Sequence, residues 1–347
     1  MKTPILLLVF QLLVCNIAVA DTFSVGSLTA EPGTMASGYL EVSSLDDEGS
    51  QIPITIVHGA EPGPVLALIA GIHGYEYAPI VALQNVRREI NPQELFGTLI
   101  LVHIANLPAF HQRSIYLNPI DKKNLNRVFP GIETGSLSDR IAFQITKHVI
   151  DPADYVVDMH AGDGNEALRP YIYLPVTGKT KLDKKSRRLA LNFGLDHIVL
   201  EKTVLPEGPN TSFVDITAIS RGKPAITTET GQLGSTDEHW VSMAEKGVWN
   251  VLRGLDMLPG RPEHSGSVVW LEDYEVLRSD VDAIFESRVK DGYFVNKGTV
   301  VGVLKDYFGD QIREVSAPFS GVVNYVVATP PVRDGDPLVM ISRLVEQ

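Results

Sequence analysis

The sequence predicts an α/β domain followed by a small all-β domain. Between about residue 50 and residue 260, apolar runs rich in Val, Ile and Leu alternate with amphipathic stretches, which is typical of strands buried on both faces and separated by helices. After Pro259–Pro262 the pattern changes to short β-like runs that Gly, Asp and Pro interrupt at close spacing. The 347 residues also exceed what one hydrophobic core usually holds, so two domains are expected.

Four apolar segments of the first domain are predicted as core strands, and three amphipathic segments as helices. The predicted strands are Pro64–Ala70, Thr98–Ala105, Tyr155–Met159 and Ala225–Thr228. The predicted helices are Tyr77–Ile90, Ser138–Ile150 and Thr236–Leu258. Ser138 and Thr236 are the predicted N-caps, because their hydroxyls can accept a hydrogen bond from the first helical turn. Residues 21–50 are expected to form a leading extended segment or a hairpin.

The C-terminal part, up to Leu344, has the pattern of a barrel-sandwich. Residues 291–302, followed by Ala317–Val323, resemble the half-barrels of lipoyl and biotinyl domains. Because no lysine occupies the middle of the turn from Ala317 to Gly321, a carrier function is excluded and only the shape is expected.

The first 20 residues have the composition of a secretory signal peptide. Lys2 supplies a positive charge, residues 5–14 form an apolar stretch, and Ala18–Ala20 is a small-residue cleavage site. A retained membrane anchor is disfavoured because the apolar stretch is short and contains Gln11. We therefore expect a mature protein that begins at Asp21 in the periplasm or outside the cell, without stable insertion in the membrane.

Cleavage at this site would also remove Cys15, the only cysteine of the chain. A lipid anchor on Cys15 is a weaker alternative, since the cleavage site five residues further on is the better one. The mature protein would then hold neither disulfides nor thiolate ligands, so any metal must be bound by histidines and carboxylates.

Composition and charge limit the partners. With 44% hydrophobic and 21% charged residues, the chain is expected to be folded and soluble. The formal net charge of -12 at pH 7 argues against a nucleic-acid partner. The same charge says nothing positive about the substrate.

Four side chains with the chemistry of a metal site follow predicted strands. His73 and Glu76 follow the first strand, His160 the third and Glu229 the fourth. Ligands of open α/β sheets bind at the carboxyl ends of strands. An imidazole and a carboxylate three residues apart can converge on one zinc ion, and His160 at an equivalent strand end can be a third ligand. The alternative is that His160 merely ends a strand, as most histidines would.

Glu229 fits a general base. Such a base takes a proton from metal-bound water, whose pKa zinc lowers to about 7, and later protonates the leaving nitrogen. The alternative is a glutamate that caps a helix or forms a salt bridge.

The loop Asn124–Gly131 is too polar to belong to the core. In it, Arg127 offers a planar guanidinium suited to a substrate carboxylate, and Asn126 an amide donor beside it. Arg113, further upstream, would add charge near a developing oxyanion, worth about 3 kcal/mol if it replaces a hydrogen-bond donor there. A loop arginine in an acidic protein is, however, usually a surface ion pair.

Together these segments resemble the succinylglutamate desuccinylase/aspartoacylase family. The resemblance covers about residues 50 to 345 and rests on four elements: His73–Glu76, Asn124–Gly131, Asp158–His160 and Thr228–Gly231. It implies a zinc carboxypeptidase-like fold, with a mixed sheet flanked by helices, for a catalytic domain over residues 51–260. A small barrel-sandwich-like β domain over residues 261–347 matches the domain that this family appends.

The resemblance also implies roles for single residues. One zinc ion per chain would be bound by His73, Glu76 and His160, with Glu229 as the base. The remaining matched positions would bind the carboxylate end of the substrate: Asn126, Arg127 and, with a more variable spacing, Arg113.

One position departs from the family pattern. The family often has Asp-Leu-Asn-Arg where this sequence reads Asn124-Leu125-Asn126-Arg127. A carboxylate there orients a ligating histidine and makes it more basic, whereas a neutral Asn124 accepts more weakly. Zinc affinity is therefore expected to be lower, unless Asp158 or Asp121 supplies the charge.

The sequence thus predicts a zinc-dependent hydrolase that cleaves the amide bond of an N-acyl amino acid or a short peptide bearing a carboxylate. The alternative enzymes are a zinc carboxypeptidase and a cell-wall peptide amidase, because an exported enzyme meets cell-wall peptides. A non-catalytic ligand-binding module is disfavoured by the complete set of three ligands and a base. The acyl group, the amino acid and the oligomeric state stay open.

Overall fold

The computed structural model describes residues 21–208, 210–263 and 266–346. The predicted signal peptide, residues 1–20, lies outside the described residues. Within these three ranges no helix combines the length and the apolar character needed to cross a membrane.

The strands of the described residues are numbered in chain order. They are β1 (Phe23–Val25), β2 (Leu28–Ala30), β3 (Thr34–Val42), β4 (Ser50–His58), β5 (Glu61–Ala70), β6 (Phe96–Val102), β7 (Tyr155–His160), β8 (Glu166–Leu168), β9 (Tyr171–Val176), β10 (His197–Lys202), β11 (Ala225–Glu229), β12 (Val269–Arg278), β13 (Ala283–Ser287), β14 (Phe294–Val295), β15 (Val300–Lys305), β16 (Gln311–Ser316), β17 (Gly321–Val327), β18 (Pro331–Val332) and β19 (Pro337–Leu344).

The helices are α1 (Tyr77–Glu89), α2 (Leu107–Gln112), α3 (Leu137–Ile145), α4 (Thr180–Phe193), α5 (Val214–Ser220) and α6 (Glu238–Gly254). Short 3₁₀ turns occupy Pro92–Glu94 and Leu125–Arg127, and a π-helical turn, Thr146–Ile150, continues α3.

The central sheet is mixed, as predicted. Its strand order is β14-β17-β19-β12-β10-β9-β11-β7-β5-β6-β4-β3, with β8 added beside β17. Strands β6, β5, β7 and β11 run parallel to their neighbours in this group, whereas β9 runs antiparallel to β11. A second antiparallel sheet follows the order β16-β15-β13-β18. The fold class predicted from the sequence is therefore confirmed.

Strand β5 shows why the apolar runs form a sheet covered on both faces. Leu66 and Leu68 belong to the core that α1, α4 and α6 close, whereas Ala67 and Ile69 belong to the core on the side of α3 and α5. Alternate residues of a strand point to opposite faces, so both faces of β5 must be apolar. The continuous apolar run Pro64–Ala70 follows from this burial.

The predicted strands lie where the sequence places them, with different ends. Strand β6 ends at Val102 rather than Ala105, and β7 and β11 extend by one residue to include His160 and Glu229. Beyond Val102 the chain turns toward α2, and Ala105 N–H donates to the carbonyl of Ala70 instead of continuing the pairing of β6.

Both predicted N-caps are wrong. Helix α3 begins after Ser136, whose backbone N–H donates to the carboxylate of Asp139 at 3.0 Å, and Ser138 lies inside the helix. Helix α6 begins after Asp237 and ends at Gly254, four residues before the predicted end. Thr236 instead lies in a turn closed by a hydrogen bond from Asp237 N–H to the hydroxyl of Ser235 (3.0 Å).

The central sheet continues past Pro262. Strand β12 pairs in parallel with β10 and antiparallel with β19, which in turn pairs with β17. Residues 23–30 form the hairpin of β1 and β2, and β3 adds an antiparallel strand to β4 at the far edge. The C-terminal strands are therefore hydrogen-bonded to the strands that precede them.

Asp121 joins the loop after α2 to the start of α3. Its carboxylate accepts hydrogen bonds from the hydroxyl of Ser136 (2.7 Å) and from the backbone N–H and hydroxyl of Ser138 (2.7 and 2.9 Å). Burial raises the pKa of Asp121, but these hydrogen bonds outweigh it and hold the pKa below its ordinary value. The folded state therefore favours the ionised carboxylate.

We expect Asp121→Asn to lower the free energy of unfolding at pH 7 by about 1 kcal/mol, the usual worth of a contact at a helix start. Because the folded-state pKa is lowered, the wild-type contribution is present above the unfolded pKa of about 3.9 and is lost as pH falls through the folded pKa. Urea unfolding at neutral and acid pH measures both effects, and the two proteins should converge in acid. Asp46→Asn, at an exposed position, is the control; equal stability of Asp121→Asn and wild type at pH 7 would contradict this role.

Candidate metal centre

The candidate site lies at the carboxyl ends of β5, β7 and β11. His73 and Glu76 lie in the turn between β5 and α1, and His160 and Glu229 are the last residues of β7 and β11. In the parallel pairing of these two strands, Glu229 is the direct partner of His160. The three strand ends therefore bring the four predicted side chains to one edge of the sheet.

Two glycines allow the turn after β5. Gly71 has a φ of +70°, and a Cβ there would lie 2.9 Å from the backbone of Ile104. A Cβ on Gly74 would lie 2.3 Å from the carbonyl oxygen of Ala109. Close backbone contacts with α2 and with the segment before it thus hold the turn that carries His73.

The carboxylate of Glu76 lies between the two imidazoles. Its Oε1 is 2.6 Å from Nδ1 of His73, and its Oε2 is 2.7 Å from Nδ1 of His160. One ligand atom from each residue can be chosen so that all three lie within 4.8 Å of one another. His73, Glu76 and His160 are 9%, 3% and 3% exposed, so this group is shielded from bulk water.

The opposite ring nitrogens are held by acceptors. Nε2 of His73 donates to Oδ1 of Asn124 at 3.1 Å, and the same oxygen accepts the backbone N–H of Asn126 at 2.9 Å. Nε2 of His160 lies 2.9 Å from Oδ2 of Asp158, which can only accept. Both imidazoles thus present Nδ1 toward Glu76, the arrangement in which outer partners orient metal-ligating histidines.

The asparagine at position 124, where the family often has aspartate, affects the two histidines differently. His73 has the neutral Asn124 as its acceptor. His160, in contrast, has the carboxylate of Asp158. Asp121 does not reach the site, because its carboxylate binds Ser136 and Ser138.

The group favours positive charge at its centre. Burial opposes ionisation of Glu76, but the charges of His160 and His73 outweigh it and lower the pKa of Glu76 to about 2. Burial likewise opposes protonation of the two histidines, while Asp158 and Glu76 raise the pKa of His160 and Glu76 raises that of His73. A cation bound here would meet an ionised carboxylate.

The two oxygens of this carboxylate are held differently. Oε1 is hydrogen-bonded to His73, whereas Oε2 is buried, forms no well-directed hydrogen bond among the described residues and has only the 2.7 Å contact with Nδ1 of His160. A buried, ionised carboxylate that is incompletely hydrogen-bonded is costly, and a metal ion would lower that cost. Two imidazole nitrogens and one carboxylate are also a ligand set of catalytic metal sites that keep an open position. The donors present thus fit a metal ion.

Glu229 lines a cavity shared with His73, Glu76 and His160 and, within the described part of the chain, has one carboxylate oxygen without a hydrogen bond. Its Oε2 is buried without a hydrogen-bond partner among the described residues. Burial raises the pKa of Glu229 well above its ordinary value, although His160 opposes this shift. A carboxylate in this environment accepts a proton readily.

The cavity has a volume of about 470 Å³ and receives side chains from both parts of the chain. Tyr116, Glu166, Tyr171, Tyr173, Glu201 and Asp215 come from the elements before Pro262, and Tyr274, Arg278, Tyr325 and Met340 from the strands after it. Most of these residues belong to no motif, so the sequence does not predict them as part of the site. The alternation of Tyr171 and Tyr173 along β9 was the one available signal of a shared face.

Asn126 and Arg127 both line the cavity, as the sequence predicts, but make different contacts. Asn126 is 6% exposed, and its amide donates to Asp158 (3.2 Å) and accepts the backbone N–H of Val214 (3.1 Å). Its side chain therefore holds Asp158 against His160. Arg127 lines the cavity, donates to the carbonyl of Asn126 (2.7 Å) and lies over the ring of Phe213, 4.7 Å from its centroid. No ion pair of the described residues includes Arg127, so its guanidinium is available to an anion.

Arg113 is not brought to this cavity. It follows the last turn of α2 in a left-handed conformation, is exposed, and is absent from the cavity lining. On the same loop, Tyr116 does reach the cavity, where its hydroxyl donates to Glu166 at 2.6 Å. The structure therefore does not place the guanidinium of Arg113 beside His73, Glu76 and His160.

Comparison with known proteins agrees with the residue pattern. A sequence model of the succinylglutamate desuccinylase/aspartoacylase catalytic domain matches residues 62–255. The chain is also 26% identical over 319 residues to the N-alpha-acetyl-L-2,4-diaminobutyric acid deacetylase of Halomonas elongata, with 89% of this chain and 92% of that protein covered.

Two solved structures share the fold over most of the chain. A succinylglutamate desuccinylase from Silicibacter sp. TM1040 is 26% identical, with a TM-score of 0.81, and 93% of this chain and 100% of that one are covered. The product-bound ectoine utilization protein EutE of Ruegeria pomeroyi is 26% identical, with a TM-score of 0.80 and coverages of 89% and 95%. The likeness therefore includes the C-terminal strands.

Removal of a ligand should abolish tight metal binding. We expect wild type to retain one zinc ion per chain after dialysis and His160→Ala to lose it, as measured by inductively coupled plasma mass spectrometry. Asp158→Asn should leave His160 in place as a ligand but weaken zinc binding by about 10- to 100-fold, because the residue that accepts a hydrogen bond from His160 loses its charge. His111→Ala, at an exposed position of α2, is the control. Full zinc occupancy in His160→Ala would remove this residue from the ligand set.

Proposed function

Because the chain belongs to the succinylglutamate desuccinylase/aspartoacylase family, whose catalytic-domain model matches residues 62–255, we propose that it is a zinc-dependent deacylase. The proposed reaction is hydrolysis of the amide bond of an N-acyl amino acid that carries a carboxylate. The observation that carries this proposal is the group His73, Glu76 and His160 beside the unpaired carboxylate of Glu229 in one cavity.

Zinc is the proposed metal. His73, Glu76 and His160 would hold it, since nitrogen and carboxylate ligands in this number suit a catalytic zinc site. When bound, zinc supplies Lewis acidity, which makes water a nucleophile near neutral pH.

Glu229 is the proposed general base. It would take up the proton of the attacking water and return it to the leaving nitrogen, which completes hydrolysis of the amide. Its pairing with His160 across β7 and β11, together with its free and buried oxygen, supports this role.

Arg127 is the proposed contact for the substrate carboxylate. Its guanidinium faces the cavity, lies over Phe213 and has no acidic partner within ion-pair distance among the described residues. A planar guanidinium binds a carboxylate through two parallel hydrogen bonds, which fixes the orientation of the substrate as well as its position. Asn126 would act indirectly, because its amide holds Asp158.

The size of the cavity favours a small substrate over a peptide chain. A volume of about 470 Å³ is typical of a small-molecule site, and the C-terminal strands supply part of its wall. The relative from Halomonas elongata is named as a deacetylase of an acetylated amino acid, which supports the same choice. A carboxypeptidase or a cell-wall peptide amidase is therefore the less favoured function.

We also propose that the protein acts outside the cytoplasm. The composition of residues 1–20 supports export, and sequencing of the amino terminus of the mature protein tests it. A start at Asp21 is expected, whereas an intact Met1 on protein recovered from the cytoplasm would contradict export.

Glu229→Gln keeps the size of the side chain and removes the proton acceptor. We expect zinc content and substrate binding to persist while kcat falls by about 10²- to 10⁴-fold, the usual contribution of general acid-base catalysis. Steady-state kinetics on an N-acetyl amino acid, together with metal analysis, measure this. Glu314→Gln, at an exposed position on β16, is the matched control. Loss of zinc in Glu229→Gln would make this residue a ligand instead of a base.

Arg127→Lys keeps the charge and removes the planar fork. We expect KM for an N-acyl amino acid to rise more than kcat falls, because the lost interaction binds the substrate before and during the reaction. The control substrate is the same N-acyl amino acid with its carboxylate converted to an amide. Both proteins should hydrolyse its N-acyl bond equally. An equal KM for the carboxylate substrate in wild type and Arg127→Lys would exclude the proposed contact.

A further inference from the structure

Besides Glu166, whose carboxylate accepts the hydroxyl of Tyr116, two further carboxylates line the cavity without contacting His73, Glu76 or His160. Asp215 lies in the first turn of α5, and Glu201 lies near the end of β10. Among the described residues, neither is within ion-pair distance of a cation. The proposed reaction gives them no role, because Glu229 acts as the base.

Asp215 is a buried acid with no cationic partner. It is 4% exposed, and its contacts are the backbone N–H of Ile216 (2.7 Å) and the side chain of Thr227. Burial raises the pKa of Asp215 to about 7, and the nearby charges of Glu201 and Asp158 act in the same direction. A buried carboxylate in this position is costly to ionise unless a cation reaches it through the cavity.

Glu201, the second of these two acids, contacts the C-terminal strands. Its Oε1 accepts the hydroxyl of Tyr274 at 3.0 Å, which holds the carboxylate in place. Burial raises the pKa of Glu201, although the charge of Arg127 opposes the shift. Arg127 lies over Phe213, donates to the carbonyl of Asn126 and, among the described residues, forms no ion pair with Glu201, so its guanidinium stays available to a substrate carboxylate. The cavity therefore offers the guanidinium of Arg127 together with the carboxylates of Asp215 and Glu201, while the other arginine of its lining, Arg278, is exposed and donates to the carbonyl of Gly335 (2.8 Å).

This distribution of charge complements a particular kind of amino acid. In an N-acyl amino acid the α-nitrogen is an uncharged amide, so only the side chain can bring a positive charge. A substrate with a carboxylate for Arg127 and an ammonium group for Asp215 and Glu201 would pair all three, whereas an acidic side chain would be repelled. The named substrate of the Halomonas elongata relative, acetylated 2,4-diaminobutyric acid, has both groups.

We propose that Asp215 and Glu201 form a cation subsite that makes the enzyme selective for N-acyl diamino acids. This inference rests on the proposed deacylase function and adds the class of its substrate. Asp215 and Glu201 would act on selection of the substrate, and the reacting amide would remain with Glu229.

The test compares three substrates of similar size: N-acetyl-2,4-diaminobutyrate, N-acetyl-2-aminobutyrate and N-acetylaspartate. Zinc-loaded wild type should show the highest kcat/KM on the first. Asp215→Asn and Glu201→Gln should each lower kcat/KM on that substrate by at least about 10-fold, as expected when one partner of a buried charge pair is lost. Their kcat/KM on the uncharged substrate should stay within about 3-fold of wild type. Glu275→Gln, which replaces an exposed acid on β12 outside the cavity, is the control and should match wild type on all three.

Equal kcat/KM for the charged and uncharged substrates in wild type, or an unchanged ratio in both variants, would overturn the subsite. Calorimetry with the product 2,4-diaminobutyrate and with 2-aminobutyrate separates this failure from failure of the deacylase proposal. Preferential binding of the diamino acid by zinc-loaded wild type, lost in Asp215→Asn, supports the subsite even if no substrate is hydrolysed. Equal binding of the two amino acids contradicts it whether or not hydrolysis occurs.

Discussion

The parallel pairing of β5, β7 and β11 is the constraint on which the site depends. It brings the turn after β5 and the last residues of the other two strands to one edge of the sheet, so that Glu76 contacts His73 and His160 with separate oxygens. The pairing is fixed by packing, because Leu68 and Ile69 of β5 belong to cores on opposite faces. The cost of burying an ionised Glu76 explains why this arrangement favours a cation.

The C-terminal strands matter for the cavity as much as for the fold. Because β12 pairs with β10, the hydroxyl of Tyr274 can donate to the carboxylate of Glu201, and Arg278 lies in the cavity wall. The proposed metal ligands and base thus come from the α/β part of the chain, and part of the cavity wall comes from the strands after Pro262. Under the proposed function, changes in those strands would alter selectivity without touching the proposed ligands.

The sequence predicted the parts of the site that depend on strand ends. Residues such as His73 and His160 follow apolar runs whose burial on both faces is visible in composition, and this pattern places them at the edge of the sheet. Helix starts were less accurate, because Ser136 and Ser138 can both be N-caps and Asp121 binds both, whereas only Ser136 forms a capping box with Asp139. The sequence did not predict the two acids Asp215 and Glu201 of the cavity wall. Asp215, for example, follows no motif and becomes significant only when distant strands enclose it.

In the proposed site, one metal ion would bind between the Nδ1 atoms of His73 and His160 and the carboxylate of Glu76. Crystals of the zinc-loaded protein, measured on both sides of the zinc absorption edge, test this most directly. We expect one anomalous peak per chain, at about 2.0 to 2.2 Å from each of the three residues, with both imidazoles bound through Nδ1. A peak bound through Nε2 or located away from these residues would contradict it.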